Sequence, residues 1–482
     1  MPAADLQTFV NELEQRGWLK RVRVEVDPEL EITEIADRVM KAGGPALLFE
    51  KVRGADMPLL INTFGSRERM CLALGCRSFE ELAERVRTLI RPELPTTLMQ
   101  KLRKLPELMQ LGSLPPKIVK RGVCQEIVHT DDADLFRLPA LKCWPQDGGR
   151  YITLGAVFTK DPQTGERNVG MYRVQLFEPK LAAMHWHMHH DGARHFRQYQ
   201  RLGQRMPLAI VLGGPAIMPY AATCPLPPGI DECLFAGFLQ GQALELVPCV
   251  TQPQIEVPAT AEIVIEGYID PAEEPILEGP FGDHTGFYSL ADYYPRFHVT
   301  AITQRRQPIY PATIVGKPPM EDYWLGKATE RIFLPLVQMI VPDVIDYDLP
   351  LFGCFHNCAF VKIRKEYPYQ GRRVMYALWG AGQMALTKII VVVDEHVDVH
   401  DANAVWFQVG ANVDPRRDLV IVDGPLDILD HAAPFCGAGS KLGIDATRKI
   451  PGEGTVRPWP AELEMSPEIR ELVNRRWVEY GL

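Results

Sequence analysis

YITLGAVFTKDPQTGERNVGMYRVQLFEPKLAAMHWHMH, residues 151–189, decides how the middle of the chain folds. YITLGAVFT, NVGMYRVQLFE and LAAMHWHMH each carry the β-branched and aromatic residues that suit a pleated, half-buried surface, with turn residues between them. PLAIVLG (207–213), AEIVIEGYI (261–269) and FHVTAIT (297–303) continue the pattern. Strand after strand at this spacing predicts a β-barrel or sandwich from about residue 121 to 315.

Both flanks read differently. Asp5 is an N-cap for Leu6, Phe9, Val10 and Leu13 at helical spacing, and Gly17 ends that helix. LKRVRVEVD (19–27) alternates as a half-buried strand. A helix over 30–41 stops at Gly43-Gly44, and ALLFE (46–50) and PLLINTF (58–64) are further strands. Ser78 and Glu81 form a capping box before Leu82, Val86, Leu89 and Ile90. Residues 91–117 carry five prolines and read as a connector. Beyond 320, RIFLPLVQMI is an apolar helix, and KIIVVVD (388–394) and LVIVDG (419–424) are strands apolar on both faces, as in a sheet covered by helices. The division is 1–120 (N-terminal α/β module with its connector), 121–315 (β domain), 316–450 (C-terminal α/β domain, also a site of oligomerisation) and 451–482 (an arm with one amphipathic helix, packing on the body or on a neighbouring subunit).

Composition narrows the function. The 482 residues are 46% apolar and 23% charged, as in globular proteins, and the net charge of −9 argues against a general nucleic-acid surface. The N-terminus has no secretory pattern, and no run of about 18 apolar residues occurs, so a cytoplasmic location is expected. The ten cysteines are scattered and read as reduced thiols. Cys354 and Cys358 flank His356, but no second pair completes a four-ligand metal site. A P-loop and a GxSxG elbow are both missing, and GAGSKLG (437–443) has the wrong spacing for a dinucleotide fingerprint.

Polar residues in the β-rich middle are the site candidates. MHWHMHH alternates, so a strand would put His185, His187 and His189 on one face: a half-solvated face, or imidazoles for a divalent metal or a phosphate. Asn168 and Arg173 are the polar members of an apolar strand. Their odd offset sends them to opposite faces unless Gly170 marks a bulge or bend. Glu232 opens an apolar stretch, either as a helix N-terminal acid or as a hard oxygen ligand. Asn, His and Glu together suit Mn²⁺ or Mg²⁺ at a cofactor phosphate better than Zn²⁺. EGPFGDHTGFY (278–288) sets Glu278 and Asp283 in a stiff loop. Either they cap turns, or they form a trio with Arg173 in which one acid is paired and the other, in a dry pocket, has a raised pKa and gives a proton.

Taken together, NVGMYR (168–173), the HWH run, Glu232 before FAG, EGPFGDHTGFY, VDPELEITEIADRVMKAGGPALLFE (26–50), CWPQDGG (143–149) and GSKLGIDAT (439–447) resemble the UbiD-type decarboxylases. The nearest branch is the one acting on 3-polyprenyl-4-hydroxybenzoate in ubiquinone synthesis. The resemblance implies a mixed α+β fold with a split β-barrel between α/β domains. It also implies prenylated FMN from a separate flavin prenyltransferase, Mn²⁺ at the flavin phosphate, and K⁺ near Ala222 and Thr223. On the matching positions it implies metal ligands Asn168, His189 and Glu232, with His187 and His190 competing for the histidine's place. Flavin contacts fall on Asn168, Met171, Tyr172, Arg173, His185, Trp186, His187, His190 and Asp191, and Lys388 contacts the phosphate. The catalytic trio falls on Glu278, Arg173 and Asp283, with Asp283 as proton donor. Its side chain is one methylene shorter than the Glu of ferulate-type members, which leaves room for another ring. A homo-oligomer, dimer to hexamer, and a peripheral hold on the inner membrane through a lipophilic substrate are further expectations. The rivals are decarboxylation of a prenylated dihydroxynaphthoate or a small phenolic acid, an FMN-binding split-barrel oxidoreductase, and a non-enzymatic assembly subunit.

Overall fold

The computed structural model describes residues 3–90, 114–187, 190–227, 229–455 and 457–482. The N-terminal module is a helix, Leu6–Gln15, capped by the Asp5 side chain on the Thr8 N–H, followed by strands Leu19–Val26, Ala46–Val52 and Leu59–Ile61. A fourth strand, Tyr310–Pro311, joins this sheet in parallel beside Leu59–Ile61. The end of the segment expected to be β domain therefore belongs structurally to the N-terminal sheet. Helix Phe79–Ile90 forms as expected, but Glu81 accepts from the Arg77 N–H instead of closing a box on Ser78. Most of the proline-rich connector lies outside the described residues.

The middle of the chain is a nine-stranded sheet. From one end its path runs Tyr151–Ile152, Val174–Glu178, Leu181–Met184, Arg296–Gln304, Ile263–Ile269, Met206–Leu212, Ala156–Lys160, Arg167–Met171, with Ile127–His129 added beside Arg296–Gln304. It curls as a half-barrel: among the described residues, no pairing joins the first strand of the path to the last. Two sequence expectations change here. NVGMYRVQLFE is two strands, Arg167–Met171 and Val174–Glu178, broken at Tyr172 and Arg173. This break, and not a bulge at Gly170, resets the direction of Arg173. Gly170 has another role, since a Cβ there would lie 2.1 Å from the Tyr172 hydroxyl. The third strand stops at Met184, so the alternation of MHWHMHH does not continue as a strand.

Apolar residues of both sheet faces fill two large cores. One joins Phe9, Phe158, Val264 and Phe235 with Ile332 of helix Glu321–Ile340. The other joins Phe49, Ile61, Tyr151, Ile210 and Phe297. In the C-terminal domain, strand Ile389–Asp394 sends Ile390 and Val392 against Val374 and Leu378 of one helix, and Val391 and Val393 against Val405 of another. Each such side chain contributes about 1.5–3 kcal/mol by burial, which is why the run is apolar on both faces. GAGSKLG lies within and just before strand Ala438–Asp445 of this five-stranded sheet. Residues 461–482 are exposed except for half-buried Val473, and among the described residues no helix is long and apolar enough to cross a membrane.

Candidate active site

The site begins at the break after Met171. Freed from the ladder, Arg173 turns its guanidinium onto Glu278, with Nε donating to Oε1 at 2.9 Å and Nη2 to Oε2 at 3.0 Å. Nη1 donates to Asp283 Oδ2 at 2.7 Å, and Nη2 also donates to Ser289 Oγ at 3.0 Å. Phe281 lies under the guanidinium, its centroid 4.8 Å away. Glu278 is fully buried. Burial by itself would raise its pKa, but His185 and Arg173 hold it below the ordinary value.

The loop carrying both acids is braced from outside. Gly279 has φ +93°, a conformation open to glycine, and its N–H donates to Gln175 Oε1 at 2.8 Å, which also accepts from the Tyr151 hydroxyl. CWPQDGG supplies the rest of the brace. Asp147 accepts from the N–H groups of Cys143 and Trp144 with one oxygen and from Gly282 with the other. Gly148 packs so close that a Cβ on it would lie 2.3 Å from the Gly279 carbonyl oxygen. Two clear glycine requirements thus fix the loop from its two sides.

The histidines form a chain. His185 Nδ1 donates to Glu278 Oε2 at 2.9 Å, and its Nε2 meets His187 Nε2 at 2.7 Å. The His187 N–H donates to His190 Nδ1 at 3.1 Å. Burial pushes the His185 pKa down and that of His187 to about 2, so both are neutral rings. With His185 Nδ1 donating, its Nε2 accepts, and His187 Nε2 carries the hydrogen between them. Met171, Tyr172, Arg173, His185, His187 and His190 line one cleft together with Asp283. Trp186 is buried behind it, its ring against the backbone of Gly192.

A second cleft opens at the other end of strand Arg167–Met171, lined by Asn168, Asp191, Arg167, Arg194, Asp231 and Glu232. Asn168 and Glu232 are buried, and Glu232 Oε2 accepts from the Val169 N–H at 2.9 Å. Burial, with the charges of Asp231 and Asp191, lifts the Glu232 pKa to about 7. A buried carboxylate crowded by two other acids and a neutral amide is a donor set that fits a hard divalent cation. The arginines suit a phosphate. His189 lies outside the described residues. Lys388 pairs with Asp430 at 2.8 Å in the C-terminal domain and is not among the residues lining this cleft. The Ala222 carbonyl accepts from the Met171 N–H at 3.1 Å, and the Thr223 hydroxyl donates to the Tyr220 carbonyl. A separate group, Glu330, Asp348 and His400, has ligand-type atoms within 4.8 Å of one another. It is neutralised from within, because Lys327 contacts both acids.

One expectation about charge is corrected. Asp283 is not an acid with a raised pKa. Burial works in that direction, but the hydrogen bonds and charge of His284, with Arg173, carry it well below the usual carboxylate range. The neighbouring residues that sequence reasoning left without a role are His284, His356 and Asp427, which line the same cleft. His284 stood in the quoted loop beside Asp283. His356 and Asp427 come from the C-terminal domain, and neither periodicity nor spacing connects them to it.

Three domain models match in order: the N-terminal domain of 3-octaprenyl-4-hydroxybenzoate carboxy-lyase at residues 10–86, its Rift-related domain at 117–318 and its C-terminal domain at 323–446. A protein of Aquifex aeolicus, named only as uncharacterized, is 50% identical over 480 residues, 99% of each chain. Vanillic acid decarboxylase of Sedimentibacter hydroxybenzoicus, in closed form, superposes with TM-score 0.86 at 28% identity over 100% of this chain and 99% of that one. The UbiD-class enzyme HmfF of Pelotomaculum thermopropionicum, an evolved dimeric form in complex with prFMN, superposes with TM-score 0.80 at 29% identity over 97% and 98%. The chain belongs to the UbiD family of decarboxylases and is a carboxy-lyase.

Proposed function

We propose that the protein removes CO₂ reversibly and without net oxidation from an aromatic acid, using prenylated FMN, and that the acid is a polyprenylated hydroxybenzoate on the way to a quinone. The observation that carries the reading is the buried Arg173 clamped between Glu278 and Asp283 at the head of the cleft. The description of the matching domains and the shorter Asp283 support the substrate class. Flavin would lie along strand Arg167–Met171, its ring end at Tyr172, Arg173, His185 and His187. Its phosphate end would lie at Asn168, Asp191 and Glu232, and Asn168, Glu232 and His189 would hold Mn²⁺ there. Lys388 would have to leave Asp430 to join the phosphate, and K⁺ would take carbonyls around Ala222 and Thr223.

The bound cofactor supplies an electron acceptor for the ring as CO₂ leaves. The protein's own groups do the rest. The neutral His185 holds Glu278 ionised, Glu278 holds Arg173, and Arg173 orients Asp283. Asp283 returns one proton to the carbon that lost CO₂, and a ring bound in the cleft would keep water from competing. Mass spectrometry of the bound cofactor tests the reading. A prenylated flavin is expected when a flavin prenyltransferase is coexpressed. Plain FMN, with hydride-transfer activity, would place the protein among FMN oxidoreductases instead.

A further inference from the structure

The corrected charge of Asp283 poses a question about protons. Replacing CO₂ by hydrogen consumes one proton, yet Asp283 sits in the cleft as a carboxylate with both oxygens occupied. Arg173 donates to Oδ2. The His284 N–H donates to Oδ1 at 2.8 Å, and His284 Nδ1 lies 3.0 Å from the same oxygen. A guanidinium and a backbone amide do not release protons near neutral pH, and an imidazolium does. The imidazole therefore adds to the backbone N–H a second, ionisable hydrogen-bond donor on the same oxygen.

We propose that His284 is the positioning residue that loads Asp283, passing its Nδ1 proton to Oδ1 as Asp283 protonates the ring carbon. This inference rests on the decarboxylase reading above. The balance is simple: His284 Nδ1–H breaks and Asp283 O–H forms, then O–H breaks and C–H forms. Asp283 ends as a carboxylate and His284 as a neutral ring, which regains a proton from solvent after the product leaves. No oxidant or reductant is required.

The surroundings suit a ring that changes charge. His284 packs between Phe355 and His356, with centroids 5.6 and 6.2 Å away, and its Nε2 is buried without a hydrogen-bond partner among the described residues. The groups that face it are Asp283 with Arg173 behind it, Asp322 and Lys327 on helix Glu321–Ile340, the Cys354 thiol, and His356 with Asp427. Burial opposes its charge, but Asp283, Asp322 and Asp427 together lift its pKa to about 9. Among the described residues, Asp283 is the hydrogen-bond partner of Nδ1, which gives the proton an outlet into the cleft.

Histidine side-chain NMR of the whole protein, titrated from about pH 5 to 10, tests the pair directly. The His284 signal, assigned by its loss in His284→Gln, is expected to titrate at least one unit above an ordinary histidine and to return toward it in Asp283→Asn. In the flavin-loaded enzyme, activity should fall as pH rises through the His284 pKa. His284→Gln should lower kcat by about 100-fold, leave KM within threefold, and abolish that alkaline limb. A His284 that titrates at or below an ordinary histidine, or a His284→Gln enzyme with the wild-type limb intact, overturns the inference. If loaded wild-type protein releases no CO₂ while His284 still titrates high, the decarboxylase reading has failed and the proposed step falls with it. If His284→Gln does not fold, the wild-type and Asp283→Asn titrations still decide.

Discussion

At the scale of single residues, burial decides what each charge is worth. Glu278 is fully enclosed, so Arg173 is its counter-charge and not a surface partner. Arg173→Ala leaves a buried carboxylate without its counter-charge, and denaturant unfolding should show a loss of about 3–5 kcal/mol along with lost turnover. An unchanged unfolding midpoint would mean the clamp is not buried in solution. Glu232→Ala should release metal and flavin together, read by metal analysis and by flavin absorbance of the purified protein. Retention of both would remove Glu232 from the phosphate end. The residues alone left the trio open beside turn capping by Glu278 and Asp283, and the family resemblance was what favoured it. The sign of the Asp283 charge was not legible in the sequence. It depends on a hydrogen bond from the adjacent His284, and a pattern of residue types does not say whether neighbours turn toward each other.

Among elements, the site depends on a broken strand and a braced loop. The break at Tyr172 and Arg173 resolves the odd offset between Asn168 and Arg173, which a regular strand could not. Alternation in MHWHMHH predicted a longer strand than exists, because period 2 in a sequence does not show where the sheet partner ends. Gly148→Ala should push the Gly279–Pro280 segment away from Gln175 and cost about 1–3 kcal/mol. Its flavin content should be normal and its turnover reduced at least about tenfold, the effect of about 1.4 kcal/mol added to the barrier by misplaced reacting groups. Normal turnover would show that the loop has slack. A second element-level prediction concerns strand Val344–Asp348. His400 donates to Asp346 and Asp348, and these hydrogen bonds raise its pKa to about 9. A raised folded pKa stabilises fully below the unfolded value of about 6.5 and is lost as pH climbs through about 9. The melting-temperature gap between wild type and His400→Gln should therefore be larger at pH 6 than at pH 9.5. An equal gap at both would contradict this.

Across the whole molecule, the nine-stranded sheet, the loop carrying Asp283 and the C-terminal domain bring distant parts of the chain to one cleft. The β-rich middle and the doubly apolar strand Ile389–Asp394 were readable from periodicity, because each periodicity has one good burial solution. The approach of His356 and Asp427 to His284 was not, since it follows from how the C-terminal domain seats on the central sheet. The C-terminal arm exposes Leu463 and Val478 almost completely, at 99% and 89%, and we propose that it packs on a second copy of the chain. Light scattering should show a homo-oligomer whose order falls when residues 461–482 are removed. Unchanged assembly would leave the arm without that role. The central claim is the chemistry, and the most direct measurement is CO₂ release from a panel of aromatic acids by protein coexpressed with a flavin prenyltransferase. The account predicts CO₂ in step with decarboxylated product, none from protein made without the prenyltransferase, and none from Asp283→Asn. Absence of CO₂ from every acid, despite bound prenylated flavin, would contradict it.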